Sequence, residues 1–156
     1  MNTFLVPYKP GKLEAFGYKN GREVSHFVVE TTDEPVSLEL MPYRTSLDGD
    51  GLDAMPVSVR VLDARGRPVE TANLPLEFEI TGPATIIGMG NGNHNNHDSE
   101  KGNKYNLYNG LAQVIIQSNA TSAGDVVLTV KSGNLKVASI HVAVKDAVQV
   151  PSVAVY

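Results

Sequence analysis

The sequence predicts an all-β fold, an immunoglobulin-like sandwich of antiparallel sheets with a β-hairpin in front of it. Apolar and polar residues alternate with a period of two along nearly the whole chain, and helical periodicity is hard to find. Turn residues interrupt the alternation at the short intervals typical of a sandwich. About seven strands result, and two sheets packed face to face bury the apolar side of each.

The clearest strand has Leu76, Phe78 and Ile80 alternating with Glu77 and Glu79. This pattern predicts one buried face and one face in water. The same alternation predicts core-facing rows made of Val57, Val59 and Val61, of Val126, Leu128 and Val130, and of Ala138, Ile140, Val142 and Val144. Further strands are predicted at residues 37–43, 84–88 and 111–117.

Three turn segments separate these strands. Asp63-Ala64-Arg65-Gly66 is predicted to close a hairpin, Thr81-Gly82-Pro83 to end a strand, and Ser132-Gly133-Asn134 to link the last two strands.

The first thirty residues predict a separate hairpin. Strand-like runs at 13–18 and 23–30 flank Lys19-Asn20-Gly21-Arg22, and Asn-Gly between such runs is a strong hairpin signal. Because an isolated hairpin is marginal in water, this one must pack on something.

The chain is therefore divided into three segments. We interpret residues 1–32 as the last strand pair of a preceding module, residues 33–145 as the sandwich, and residues 146–156 as an extended tail. Pro151 argues against a central strand in that tail. The alternative is that the hairpin simply extends the one sandwich.

Composition excludes several classes of protein. At 156 residues the chain is too short for a (β/α)₈ barrel of about 250 residues. Its net charge is -4 and its Lys and Arg residues are scattered, so nucleic acid is a poor partner. The chain has no cysteine, which excludes disulfides and thiolate sites, and it has no apolar span long enough for a membrane helix. No signal peptide opens the chain, and its start is interpreted as a boundary inside a longer protein.

Residues 91–109 predict a long loop, and such loops tend to be functional or mobile. His94, His97, Asp98 and Glu100 are competent metal ligands, but spacing on a loop does not define ligand geometry, so no metal is assigned. Two tyrosines of the loop either stack against a sugar or pack beneath it, and packing is favoured. The candidate ligand-binding residues are Asn91, Asn93, His94, His97, Tyr105 and Tyr108.

Two further motifs have competing interpretations. Asp48-Gly49-Asp50-Gly51-Leu52-Asp53 spaces oxygen ligands as in a calcium loop, but the twelfth position of an EF-hand would be Val59, and a turn explains the glycines equally well. Gly88-Met89-Gly90-Asn91-Gly92 is similar to a phosphate loop, but a polar loop follows where a helix is needed. A strand that ends in a glycine-rich bulge is predicted instead.

No catalytic residue and no cofactor are predicted. The chain lacks a G-x-S-x-G elbow. A glycosidase needs one desolvated carboxyl group beside another that stays ionised, and alternation places both Glu77 and Glu79 in water.

Several segments together resemble bacterial β-galactosidases of glycoside hydrolase family 2. Residues 5–15 and 17–21, with the run to Thr31, resemble the segment that closes an immunoglobulin-like domain after the barrel of these enzymes. The C-terminal sandwich of the same enzymes is similar to Asp50-Gly51-Leu52-Asp53, the Val57–Val59–Val61 strand, Asp63-Ala64-Arg65-Gly66, Gly88-Met89-Gly90-Asn91-Gly92 and Asn109-Gly110-Leu111-Ala112. One departure is Asn93-His94, where such domains often carry Asp-Pro.

The resemblance implies a parent enzyme that removes terminal β-galactosyl or related residues by a retaining mechanism with two glutamates. Those glutamates belong to the barrel, and no acid of this chain matches them. The expected role is structural: the module packs on the catalytic and other domains of the parent, and residues 91–109 contribute to the rim of an active site. A carbohydrate-binding module and an invasin-like adhesion domain are the alternatives, and the expected location of the parent is periplasmic or extracellular.

Overall fold

The computed structural model describes residues 3–119 and 123–148 and shows the predicted all-β fold. Contacts divide the chain into two compact units, Met1–Asp33 and Glu34–Tyr156. None of the described residues forms a helix of the length and apolarity needed to span a membrane. Most of the extended tail expected at 146–156 lies outside the described residues, so its role stays a prediction.

The first unit is the hairpin that the Asn-Gly signal predicts. Its two antiparallel strands are β1 (Lys12–Lys19) and β2 (Arg22–Glu30). Asn20 and Gly21 join them with φ angles of 52° and 76°. Two consecutive positive φ angles define the turn whose twist matches that of paired strands, which explains why Asn-Gly is found here.

The second unit is a sandwich of two sheets. Its described strands are β3 (Ser37–Pro42), β4 (Ser46–Asp48), β5 (Ala54–Leu62), β6 (Pro75–Thr81), β7 (Ala84–Gly90), β8 (Lys104–Asn106), β9 (Leu111–Ser118), β10 (Gly124–Lys131) and β11 (Ala138–Lys145). One sheet has the order β3-β5-β9-β7 and the other has the order β4-β11-β10-β6-β8. Their facing sides enclose one hydrophobic core.

The core consists of the alternating rows that the sequence predicts. Val57, Val59 and Val61 of β5 are fully buried, as are Val126, Leu128 and Val130 of β10. Leu76 and Phe78 of β6 pack into the same cluster, while Ile80, Ala138 and Ile140 are partly buried against it. Each buried residue alternates with an outward one, which is why a period of two was sufficient to find these strands.

The turn at residues 63–66 closes a short hairpin, as predicted, although it does not join β5 to β6. The Gly66 N–H donates to the Asp63 carbonyl, the Asp63 N–H donates to the Arg67 carbonyl, and the Val69 N–H donates to the Val61 carbonyl. The end of β5 therefore pairs with the residues just after the turn, whereas β6 belongs to the other sheet. Beyond an isolated bridge between Leu62 and Pro68, the chain leaves the sheet of β5. Val69 and Ala72 are buried in the core, and their burial draws the chain across the sandwich towards β6.

The sheet that contains β4 is not wholly antiparallel. β4 pairs in parallel with β11, and Leu47 at its centre is fully buried. The Ala143 N–H donates to the Thr45 carbonyl, and the Gly49 N–H donates to the Lys145 carbonyl. The chain therefore crosses from one sheet to the other after β3 and buries an apolar side chain as it does so.

Candidate functional site

The segment predicted as a long loop contains a short strand. β8 extends the edge of its sheet by pairing with β6, so the irregular connection runs only from residue 91 to residue 103. Tyr105 at the centre of β8 is 5% exposed, whereas Lys104 and Asn106 point outward. The sequence prediction of an unbroken loop is wrong here because three residues are too few to display a period of two.

The connection between β7 and β8 bridges the two sheets. The Met89 N–H of β7 donates to the Glu100 carbonyl at 2.8 Å, and the Phe78 N–H of β6 donates to the Asn103 carbonyl at 2.8 Å. These bonds link the edge strand of one sheet to a strand of the other. The connection is thus held by main-chain bonds to both sheets near its C-terminal end.

Asparagines and Asp98 hold the connection in a run of local turns. The Asn91 side chain accepts from the Asn93 N–H and donates to the Asn106 carbonyl. Asn93 and Asn96 accept in the same way from the main-chain N–H two residues on. The Asn106 amide donates to the Asp98 carboxylate at 2.5 Å. The two candidate asparagines therefore maintain the shape of the loop, a role that short polar side chains often have.

The predicted ligand-binding residues differ in exposure. His94 and His97 are exposed on the connection, while Tyr105 is buried beneath β8 and Tyr108 is 38% exposed. The packing interpretation thus describes Tyr105, and its ring is not available as a platform for a sugar. Among the described residues, no group of three or more His, Asp or Glu side chains could hold a metal ion.

A shallow groove of about 560 Å³ lies along the edge formed by β6 and β8. Its volume is within the range of small-molecule sites. Its lining residues are mostly polar and come from β6, the 91–103 connection, β8 and the end of β10: Pro75, Leu76, Glu77, Asp98, Ser99, Lys104, Tyr105, Asn106, Lys131, Ser132 and Gly133. The groove offers hydrogen-bonding groups of both charge signs to a polar ligand.

Two lysines of this groove were not predicted from the sequence. Lys104 lies 3.6 Å from Glu77, and Lys131 lies 3.1 Å from Glu79. The outward alternation of the two glutamates was visible in the sequence. Their partners depend on strand register, and the pairing with Lys104 exists only because β8 forms a strand.

The calcium-like segment is held by its own chain and by Arg44. Asp50 accepts hydrogen bonds from the N–H groups of Leu52 and Asp53, each at 2.8 Å. Asp53 forms an ion pair with Arg44 and accepts from the Asp48 N–H at 2.8 Å. The hydrogen bond from Arg44 is the main cause that lowers the pKa of Asp53 below its ordinary value. These carboxylates stabilise a turn between strands, which agrees with the interpretation of the segment as a turn.

Comparison with known proteins identifies the family. The model of Glycoside hydrolase family 2 C-terminal domain 5 matches residues 38–141, which is more than half of the chain. The chain belongs to this family. The match covers β3 to β10 and the connection between β7 and β8, so the family 2 resemblance found in the sequence is confirmed.

Relatives of this family 2 domain are much longer proteins. The β-galactosidase BoGH2A of Bacteroides ovatus is 28% identical over 144 residues, which are 92% of this chain and 17% of that protein. A β-glucuronidase of Formosa agariphila is 30% identical over 141 residues, covering 86% of this chain and 14% of that protein. The chain thus spans less than a fifth of the length of these curated relatives.

A solved structure agrees with the fold. The crystal structure of a glycosyl hydrolase family 2 member from Bacteroides cellulosilyticus is 31% identical and superposes with a TM-score of 0.84. The superposition covers 90% of this chain and 18% of that one. The family 2 domain is therefore a β-sandwich in that larger protein as well.

Proposed function

We propose that this chain is a non-catalytic C-terminal module of a longer family 2 glycosidase, which it stabilises by packing against neighbouring domains. One observation carries the proposal: the domain model matches residues 38–141, while the chain spans 17% or less of the curated relatives reported above. The partners in this proposal are the catalytic and other domains of the same polypeptide.

The substrate of the longer protein is proposed to be a β-galactoside. The match to a β-galactosidase covers 92% of the chain, and a β-glucuronide is the competing substrate because a β-glucuronidase matches at similar identity. Assays of the longer protein with aryl β-galactoside and aryl β-glucuronide separate the two. Turnover of the glucuronide alone would contradict the β-galactoside assignment.

The acids of the sandwich support a non-catalytic role. Glu77 and Glu79 are exposed and lie beside Lys104 and Lys131 respectively, so neither carboxyl group is buried. Glycoside hydrolysis needs one carboxyl group that remains protonated near neutral pH. We expect the 156-residue chain to show no turnover of either aryl glycoside. Turnover that disappears in Asp98→Asn or Glu77→Gln would contradict the proposal.

The exposed apolar face of the hairpin supports the proposal that it packs on a neighbouring domain. Strand register places Leu13, Ala15, Phe27 and Val29 on one face, all of them exposed. The opposite face carries an ion pair of Lys12 and Glu14, while His26 lies 3.2 Å from Glu14 and stacks on Phe16. A two-stranded hairpin with one charged and one apolar face is stable only when the apolar face is covered.

The connection at residues 91–103 is proposed to contribute to the rim of the active site of the longer protein. Its main-chain bonds to Met89 and Phe78 give it a fixed shape, and His94 and His97 are exposed on it. In the longer protein, His94→Ala/His97→Ala should raise KM for the glycoside severalfold, because polar contacts with substrate are lost. Lys136→Ala, on the connection from β10 to β11, is the control. Unchanged kcat and KM in the histidine variant would contradict the rim proposal.

The stabilising role is tested by removing residues 34–156 from the longer protein. We expect the melting temperature of the remaining domains to fall, because the surface they bury against the sandwich becomes exposed to water. An unchanged melting temperature together with unchanged kinetics would contradict the proposed function.

The location of the longer protein is proposed to be periplasmic or extracellular. A chain without cysteine is compatible with an oxidising compartment, where unpaired thiols would be a liability. Cell fractionation followed by immunodetection tests the proposal. Recovery of the protein from the cytosolic fraction alone would contradict it.

A further inference from the structure

The most exposed aromatic side chain described in the sandwich lies just after β3. Among the tyrosines that the structure describes in this unit, Tyr105 is 5% exposed, Tyr108 is 38% exposed and Tyr43 is 82% exposed. Tyrosine in a folded protein usually buries much of its ring and leaves the hydroxyl group in water. The ring of Tyr43 therefore contributes little to the core of the sandwich.

The main chain around Tyr43 is held in place. Its N–H donates to the Pro56 carbonyl at 3.2 Å, which continues the pairing of β3 with β5. The next residue, Arg44, forms an ion pair with Asp53 and donates to the Ala54 carbonyl at 3.1 Å. Because the main chain is already fixed, an exposed ring at this position loses little freedom when it binds a ligand.

Charged groups lie beside this ring. Asp53, the partner of Arg44, also accepts from the Asp48 N–H at 2.8 Å, which brings Asp48 to the same part of the surface. The hydrogen bond to Asp53 is the main cause that raises the pKa of Arg44, and the charges of Asp48 and of the Tyr43 hydroxyl act in the same direction. Tyr43, Arg44 and Asp48 therefore form one surface, which we call the Tyr43 platform.

The Tyr43 platform contains hydrogen-bonding groups that the fold does not use. Both hydrogen bonds from Arg44 to described residues leave from its Nη2, so its Nε and Nη1 can still donate. Asp48 is exposed and is bonded through its main-chain N–H and carbonyl, to Asp53 and Ser118. Its carboxylate can accept from a ligand. A ligand that fits has hydroxyl groups at the edge of an apolar face.

The charges of this surface favour a neutral ligand. Arg44 carries one positive charge, whereas Asp48 and Asp53 carry two negative charges at neutral pH. An anionic ligand would lie beside two carboxylates, and a cationic ligand would lie beside the guanidinium group. Neither sign of charge is fully compensated here, while neutral hydroxyl groups can both donate and accept.

We propose that the Tyr43 platform binds a neutral saccharide, with the ring of Tyr43 stacked on the C–H face of a β-galactoside and with Arg44 and Asp48 bonded to its hydroxyl groups. A β-galactoside carries several polarised C–H groups on one face of its ring, and the face of an aromatic ring is negative. The choice of a galactoside rests on the proposed function, whereas the position of the binding surface does not.

Saturation-transfer NMR of the 156-residue chain with methyl β-galactoside and a β-galacto-oligosaccharide tests the proposal. We expect transfer to the sugar protons and a Kd on the order of 1 mM, because one ring and a few hydrogen bonds facing water bind weakly. Tyr43→Ala should abolish the transfer. Tyr43→Phe, which keeps the ring face, should retain it.

Tyr108→Ala is the matched control and should bind the sugar as the wild type does. Tyr43→Ala should also keep the melting temperature of the wild type within about 2 °C, because its ring is exposed. Loss of binding in Tyr43→Ala is then not a consequence of unfolding.

Three results would overturn the inference. The first is a wild-type chain that shows no transfer, and the second is equal transfer in the wild type and Tyr43→Ala. The third is tighter binding of methyl β-glucuronide than of methyl β-galactoside, which would refute a neutral ligand. If the chain binds neither sugar but Tyr43→Ala lowers the melting temperature of the longer protein alone, the ring contacts another domain instead.

The inference and the proposed function can fail separately. Sugar binding is measured on the 156-residue chain and needs no neighbouring domain, whereas removal of residues 34–156 tests the stabilising role in the longer protein. Absence of sugar binding together with a destabilising removal refutes only the Tyr43 platform. Sugar binding together with a removal that changes nothing refutes only the proposed function.

Discussion

A single buried carboxylate organises the turn after β5. Asp63 is 2% exposed, and its Oδ1 accepts from the N–H groups of Arg65 and Arg67 at 2.9 and 3.0 Å. Its Oδ2 lies 2.6 Å from the Arg67 guanidinium. The sequence marked this segment as a turn, but it did not predict that the aspartate is buried, because aspartate in a turn is ordinarily exposed. The side chain adds to the main-chain bonds of the turn where the chain leaves one sheet for the other.

Asp63→Asn should therefore destabilise the sandwich by about 3–5 kcal/mol, the usual cost of leaving a buried ion pair with one partner. Urea unfolding of the 156-residue chain measures it. Asp125→Asn is the control, because Asp125 is exposed and lies 2.6 Å from His141, a surface pair that should contribute less than about 1 kcal/mol. Equal losses in the two variants would contradict the assignment.

The ion pair of Arg44 and Asp53 predicts a dependence of stability on pH. Because the pKa of Asp53 is lower in the folded state, the folded chain binds fewer protons than the unfolded chain at acid pH. The stabilisation is complete above about pH 4, the pKa of an unfolded aspartate, and it disappears as the pH falls through the lowered folded value. We expect Asp53→Asn to cost about 1 kcal/mol at pH 7, since Arg44 is partly exposed and water screens the pair.

Chemical unfolding of the wild type and Asp53→Asn at pH 7 and at pH 2.5 tests this prediction. The difference between the two proteins should shrink at the lower pH. A difference that is constant across the range would mean that the carboxylate charge contributes nothing.

At the scale of elements, strand length decided what the sequence could predict. The long strands β5, β6, β10 and β11 each repeat the alternation several times, so their inward faces were predicted correctly. β4 and β8 have three residues each and display a single inward side chain, Leu47 and Tyr105 respectively. A single inward side chain cannot show an alternating pattern. Their position is fixed by pairing with β11 and β6, which are distant in sequence.

The shortness of β8 also explains why the sequence predicted the candidate site only in part. Tyr105 was grouped with loop residues because β8 was not recognised, although packing was the favoured role for its ring. The groove depends on residues from β6, β8 and the end of β10, which only the register of the sheet brings together. The Asn-rich connection, by contrast, was found directly, since its length and polarity are local properties of the sequence.

Tyr105→Ala should cost about 3–5 kcal/mol of stability, as for other large buried aromatic side chains. Tyr108→Ala is the matched comparison on the same segment, and its partly exposed ring should cost much less. Thermal unfolding of both variants measures the difference. A small loss in Tyr105→Ala would indicate that the ring is not part of the core and would restore its candidacy as a binding platform.

At the scale of the whole molecule, the two units have separate interactions. β1 and β2 pair with each other, and the described members of the core cluster all lie between Leu38 and Val144. We therefore expect a chain that starts at residue 34 to unfold within about 1 kcal/mol of the 156-residue chain. Residues 1–33 alone should show no cooperative transition, because a lone hairpin is marginal in water.

Urea unfolding of the two fragments, followed by circular dichroism, tests this expectation. Loss of the folded state in the fragment that starts at residue 34 would show that the sandwich requires the hairpin. The assignment of the hairpin to a preceding module stays a prediction.

The parallel pairing of β4 with β11 has a mechanical consequence. Tension applied at the start of β4 and at the end of β11 pulls the two strands in opposite directions along one axis, because they are parallel neighbours. The bonds that join residues 45–49 to residues 143–145 are then loaded together, in shear, instead of opening one after another. We therefore expect these bonds to resist extension together and to break as a set.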